Sequence, residues 1–289
     1  MSASEIILLI ILLIILFFIA VMVVDCHRLV IRNYDYESDR VGKDIKIVLL
    51  SDLHSKTFGK GNVRLIKKIN DIEPDLICIS GDMYTSMKSD KGDVAKSLIK
   101  ELSKKYRIIY SNGNHEQKTK LMPEEFPGTY EEYETFLKEY GVIHLQNESY
   151  EDSESNLKFY GLELPFKYYR KFKRYEPSKE EICSLIGDID DDKVNILIAH
   201  NPQYFESYAL WGADLTFSGH VHGGLMRFPL GLGAISPNFT LFPKYSGGKY
   251  LIGKHMMVLS CGLGTHHLPI RIFNPGEISL INITKTRVI

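Results

Sequence analysis

Five short segments of this chain gather the residue types that hold metal ions. They are Ser51-Asp52-Leu53-His54, Gly81-Asp82, Gly113-Asn114-His115, His200-Asn201 and Gly219-His220-Val221-His222. Five of the 10 histidines fall within them. Carboxylate, imidazole and amide oxygen together suit Mn²⁺, Fe or Zn²⁺. In Asp-x-His and His-x-His the alternate residues of an extended segment face the same way, so each pair can supply two ligands. The glycines permit sharp turns and close approach of backbone to a site. Any one of these segments alone reads as a solvated turn, or as a histidine satisfied in a core. As an ordered set they predict a two-metal centre. Two ions about 4 Å apart clamp the oxygens of an in-line displacement and lower the pKa of a water between them, which serves phosphate ester hydrolysis.

Each segment closes an apolar run: Ile45–Leu50, Leu76–Ser80, Ile108–Ser111, Val194–Ala199 and Leu215–Ser218. These read as buried parallel strands. Open α/β sheets bind ligands beyond the carboxyl ends of their strands, so five such ends converge on one pocket. Helical patterns lie between them. Asn62 is placed to cap a helix with Val63, Ile66 and Ile69 on one face, and Asp93 another with Val94, Leu98, Leu102 and Tyr106 inward. Ser178 with Glu181 forms a capping box, and Asn201-Pro202 opens a helix that Gly212 closes. After residue 223 the chain is rich in Gly, Pro, aromatic and β-branched residues and reads as strands and loops. The pattern predicts an α/β sandwich with more than one sheet.

The formal charge of −1 at pH 7 gives no basic excess for phosphate neutralisation, so nucleic acid is not an expected partner. The 25% of charged residues sets aside a disordered or collagen-like chain. The four cysteines, Cys26, Cys78, Cys183 and Cys261, form no C-x-x-C pair, so neither a thiolate zinc site nor a disulfide framework is indicated. Ile6 to Val24 is an unbroken apolar run of 19 residues. As a helix it extends roughly 28 Å, about the thickness of the bilayer hydrocarbon. It follows Ser4-Glu5 rather than a basic stretch, and no small-residue cleavage site comes after it. It therefore reads as an uncleaved single-pass anchor rather than a signal peptide. Arg28 and Arg32 follow the run and no Lys or Arg precedes it, which places the bulk of the chain in the cytoplasm. The organisation expected is an anchor over residues 1–24, a linker or edge strand around Leu29–Ile31 within 25–44, and one catalytic domain over 45–289.

The five segments, in this order, resemble the pattern of the calcineurin-like metallophosphoesterase superfamily over roughly residues 45–285. The resemblance implies a four-layer α/β/β/α sandwich. It implies that Asp52, His54 and His222 hold one metal, that Asn114, His200 and His220 hold the second, and that Asp82 bridges both. His115 then acts catalytically, stabilising the transition state or protonating the leaving oxygen. Purple acid phosphatases have a glycine where His54 stands and a tyrosine where Thr85 stands. Protein Ser/Thr phosphatases carry an arginine shortly after the segment that begins at Gly81, and Met83-Tyr84-Thr85-Ser86 has none. Pro74-Asp75-Leu76-Ile77, His222-Gly223-Gly224, Gly262-Leu263-Gly264 and Pro269-Ile270-Arg271 make the chain most similar to the bacterial membrane-anchored YkuE/YaeI-like branch. Members of that branch are phosphodiesterases, and related enzymes cleave a UDP-linked lipid A precursor. Leu225 stands where the branch commonly has Gln. The expected substrate is a lipid-linked or nucleotide-linked phosphodiester or pyrophosphate, with no protein partner implied. A phosphomonoesterase, a nuclease or a silent metal-bound interaction module are the alternatives.

Further features are weighed on their residues. Phe166 to Tyr175 interleaves five aromatics with five basic residues and suits a solvated loop, a lipid surface or nucleic acid. Phe228 to Tyr245 reads as second-sheet strands or an apolar groove. His266 and His267 match no ligand position. Arg271 suits a substrate phosphate or a structural ion pair.

Overall fold

In the computed structural model, residues 1–169, 175–228, 233–235, 241–265 and 269–286 are described. His266, His267 and most of the basic part of the Phe166–Tyr175 stretch lie outside them.

Two six-stranded sheets lie face to face. The first runs β1 (Leu29–Ser38), β14 (Gly276–Lys285), β2 (Ile45–Leu50), β3 (Leu76–Ile79), β4 (Arg107–Ser111) and β5 (Ile143–Leu145). The second runs β12 (Gly248–Ile252), β13 (His255–Leu259), β9 (Leu215–Ser218), β8 (Val194–Ile198), β7 (Leu157–Gly161) and β6 (Glu148–Asp152). β2 to β5 are parallel, as are β7, β8, β9 and β13. The strands read as unbroken apolar runs because both faces of each sheet are covered. In β2, Ile47 and Leu49 turn to the space between the sheets, while Val48 and Leu50 turn to the outer face. β3 divides the same way, Leu76 and Cys78 against Ile77 and Ile79.

Helices α2 (Val63–Ile72), α3 (Asp93–Ser103) and α5 (Thr129–Glu139) cover the first sheet. Helices α6 (Lys179–Ile186) and α7 (Phe205–Trp211) cover the second. Three apolar cores separate four layers, which is the α/β/β/α sandwich expected. The short helix α4 (Asn114–Leu121) starts directly after β4.

Several local expectations change. Asn62 adopts a left-handed backbone, and its Oδ1 accepts from the Phe58 N–H rather than capping α2. The buried face of α2 is Leu65 and Ile69, with Val63 exposed. Gly92, not Asp93, occupies the N-cap of α3. Ser178 does cap α6, and Asn201 Oδ1 accepts from the Gln203 N–H ahead of α7.

Between residues 25 and 44 the edge-strand alternative is the one observed, and the strand is longer than Leu29–Ile31. It runs for ten residues, paired in parallel with β14 from Leu29 to Ser38. The sheet therefore begins before residue 45. Leu29 and Tyr34 enter the apolar cores on either face of the strand, and polar contacts add to its backbone pairing: Tyr34 Oη donates to Glu277, and Arg32 pairs with Glu277 at 3.1 Å. Helix α1 (Ala3–His27) precedes it, is longer than the apolar run, and is long and apolar enough to cross a membrane. Ser2 and Glu5 cap it reciprocally.

Candidate metal centre

The five segments meet at the carboxyl ends of β2, β3 and β4 from one sheet and of β8 and β9 from the other. They are laced together by backbone bonds. The Asp52 N–H donates to Gly81 O, the His54 N–H to Asp82 O, and the Gly219 N–H to His200 O. A Cβ at Gly81 would collide with the Gly113 backbone, and one at Gly219 with Ser51 and Asp52. Only glycine lets these turns approach so closely. Asp52, His54, Asp82, His220 and His222 all have positive φ, between 47° and 73°. Non-glycine residues in the left-handed region cost free energy, and such residues cluster at functional sites.

Their side chains converge. His54 Nε2 and His222 Nε2 are 3.1 Å apart. His222 Nε2 lies 3.5 Å from Asp52 Oδ1, and His54 Nε2 lies 3.8 Å from Asp82 Oδ2. His200 Nε2 is 3.0 Å from Asp82 Oδ2 and 3.8 Å from Asp52 Oδ1. Two groups, Asp52 with His54 and His222, and Asp82 with His200 and His220, each bring their ligand atoms within 4.8 Å of one another. His115 joins His54 and Asp82 in a third, its Nε2 4.0 Å from Asp82 Oδ2.

Hydrogen bonds fix several orientations. His200 Nδ1 lies 2.6 Å from Ser80 O, so it carries a proton and leaves Nε2 facing the carboxylates. His115 Nδ1 accepts from the Ser86 N–H at 2.7 Å, so the neutral ring carries its proton on Nε2, toward Asp82. The His220 N–H donates to both oxygens of Asp52, and the His115 N–H donates to Asp82 Oδ1.

The electrostatics are uneven. Burial pushes Asp52 up to about 6; Asp82 adds to this, while His200 and Ser51 oppose it. Burial also acts to raise Asp82, but the imidazoles of His200, His115 and His54 hold it well below the usual carboxylate range. For His200, burial opposes the charge and the two aspartates overcome it, raising the imidazole to about 9.

These residues fit divalent ions. Ring nitrogens and carboxylate oxygens face each other at 3–4 Å, a donor set that suits a divalent cation placed between them. The buried Asn114 Oδ1 has no hydrogen-bond partner among the described residues.

Three nearby residues escaped the sequence reading. Glu116 is fully buried and accepts from the N–H groups of Asp82, Met83 and Gly113 and from Tyr110 Oη. It clamps the turns that carry Asp82 and Asn114 to each other. Its signal was present as the glutamate three residues after Gly113. Tyr169 packs edge-on against the His220 ring at 5.6 Å. Burial, and then the charge of Asp82, push its phenol well above its ordinary range, so it remains a neutral hydroxyl. Asn274 donates through Nδ2 to His222 O and Gly224 O. No sequence motif singles out the last two.

Arg271 does not join the cluster. It is 1% exposed, and its guanidinium donates to the carbonyls of Cys261, Gly262, Gly264, Asn274 and Pro275. Its donors are directed to backbone acceptors, which corrects the expectation of a phosphate contact.

The description of calcineurin-like phosphoesterases matches residues 45–224. The chain belongs to this family. It is similar to an uncharacterised metallophosphoesterase of Campylobacter jejuni, 28% identical over 88% of this chain and 63% of that protein. It is also similar to a zebrafish transmembrane protein with a metallophosphoesterase domain, 26% identical over 82% of this chain and 52% of that one. YkuE of Bacillus subtilis is 24% identical over 83% of this chain and 79% of its own length. The chain thus spans less than two thirds of the first two relatives.

Proposed function

We propose that the chain is a membrane-anchored phosphodiesterase with a two-metal centre of Mn, Fe or Zn. Asp52, His54 and His222 would hold one ion, and Asn114, His200 and His220 the other, with Asp82 between them. The observation that carries this reading is the pair of ligand groups sharing one buried cluster, each on the strand ends of a two-sheet sandwich. Two ions there would supply Lewis-acid stabilisation of charge on the phosphoryl oxygens and activate the attacking water. The protein's own part is positional. Glu116 and Ser80 hold Asp82 and His200 in place. His115, its Nδ1 held by the Ser86 N–H, would offer Nε2–H to the leaving oxygen, and Tyr169 offers a neutral hydroxyl beside His220.

The apolar helix supports anchoring, and it argues for a phosphodiester or pyrophosphate held at the bilayer. Arg28 and Arg32 after the helix favour a cytoplasmic domain, although both form ion pairs, with Asp25 and Glu277. A C-terminal reporter fusion tests the side. The activity is tested by turnover of a chromogenic phosphodiester against the matching monoester, with Mn²⁺, with Zn²⁺ and with chelator. Metal-dependent preference for the diester supports the reading. Preference for the monoester moves the protein to the phosphatases, and no turnover by either sinks the proposal of a general phosphodiesterase.

A further inference from the structure

Helix α1 does not leave the catalytic domain as a free stalk. Phe18, Val21, Met22 and Asp25 recur at helical spacing and are half-buried or buried, while most of the rest of the helix is exposed. Asp25 accepts from the Asn274 N–H. Lys56 donates to Cys26 O, Arg64 donates to His27 O, and Cys26 Sγ donates to Pro269 O. Higher on the helix, the rings of Phe17 and Phe18 lie 6.4 and 6.3 Å from that of Phe273. Phe17 is seven residues inside the apolar run that ends at Val24, about 10 Å along the helix. A loop of the catalytic domain therefore touches the helix well inside its apolar run.

Phe273 is not isolated. The backbone of Ile272 pairs with Leu225 and Arg227, and β10 (Met226–Arg227) pairs in turn with β11 (Gly233–Ile235). Leu241 bridges to Ile235, and the Phe228 and Phe242 rings stack at 6.2 Å. Phe228, Leu241, Phe242 and Phe273 are 42, 65, 69 and 41% exposed. Four large apolar side chains thus project from one small hydrogen-bonded unit that abuts the anchor. An exposed patch of this kind marks an interaction surface.

We propose that this rim is seated in the bilayer beside α1, so that the catalytic domain is partly immersed rather than tethered above the membrane. The occupant is lipid because the rim is continuous with the contact between Phe273 and the middle of the apolar helix. The rim also runs directly off the candidate centre, since Gly223-Gly224-Leu225 links His222 to β10 and Asn274, next to Phe273, bonds to His222 O. Seating the rim brings the centre to the headgroup level, where a phosphodiester or pyrophosphate on a lipid can enter without leaving the membrane. The inference rests on the anchored reading given above.

The test uses the full chain in phosphatidylcholine–phosphatidylglycerol vesicles, with Phe242→Trp and Phe228→Trp made separately. The protein has a single tryptophan, Trp211, which is 1% exposed and gives a constant background. The expected result is added, blue-shifted emission that brominated acyl chains quench at least twofold and aqueous iodide leaves unchanged. Iodide quenching without bromolipid quenching would overturn the proposal by placing the rim in water. Protection from both would overturn it by placing the rim against protein, including a second copy of the chain. Failure of the protein to float with the vesicles would overturn the anchored reading itself, and the rim with it. Flotation with an iodide-sensitive tryptophan would overturn the rim alone.

Discussion

Two buried polar clusters lie side by side near the end of the sandwich, and they are built on opposite principles. Around Arg271 and Asn274, donors are matched to backbone carbonyls: the Arg271 guanidinium to five of them, the Asn274 amide to His222 O and Gly224 O. Around Asp82, ring nitrogens and carboxylate oxygens instead face one another, on backbone held at positive φ. Imidazole–carboxylate pairing, which raises His200 and lowers Asp82, holds the second cluster together, and a divalent cation would take the place of that pairing. The first cluster is scaffold for the second, since it fixes the carbonyl of His222.

The largest effect expected falls on the second cluster. His115→Ala should lower kcat by about a hundred- to ten-thousandfold while bound metal stays constant. Loss of metal in step with activity would make His115 a ligand and blur the line between the groups. Arg271→Ala should instead cost about 3 kcal/mol or more of unfolding free energy, because it orphans buried carbonyls. An unchanged denaturation midpoint with a raised KM would restore Arg271 as a substrate contact.

His144 sharpens the contrast from outside both clusters. Burial holds its imidazole down at about 4, against the pull of Glu163 and Glu134, and Nε2 bonds to Asn112 Oδ1. Its folded pKa lies below the unfolded value of about 6.5, so the unfolded chain binds the proton first as pH falls. This contribution to stability is intact above pH 7 and is lost progressively toward pH 4, by about 2 kcal/mol at pH 5. Denaturant titrations at pH 7 and pH 5 should show that loss, and His144→Gln should reduce it. The smallest effect expected is for Tyr169→Phe, a few-fold rise in KM or fall in kcat, about 1 kcal/mol, with metal content unchanged.

What could be read from the sequence follows the same division. β2, β3, β4, β8 and β9 were legible because strands buried on both faces are short apolar runs, and the observed limits differ from the expected ones by at most one residue at either end. The cluster was legible because its residues close those runs. β1 was legible only in part, as an edge strand around Leu29–Ile31 offered beside a linker, because its pairing with β14 and the bonds of Arg32 and Tyr34 follow no apolar period. The role of Arg271 was not, because a buried arginine bonded to carbonyls has the same one-letter signature as one bonded to phosphate. Tyr169 was hidden in a basic-aromatic stretch whose composition describes a surface, although its ring turns inward to His220.

The central claim is that Asp82 stands between two metal ions. Metal content per chain, measured together with phosphodiester turnover on the wild-type protein and on Asp82→Asn, tests it most directly. The account predicts two ions in the wild type, one or none in the variant, and a loss of turnover of at least about a thousandfold, in line with several kcal/mol of charge stabilisation. A variant that keeps two ions and near-normal turnover would contradict it.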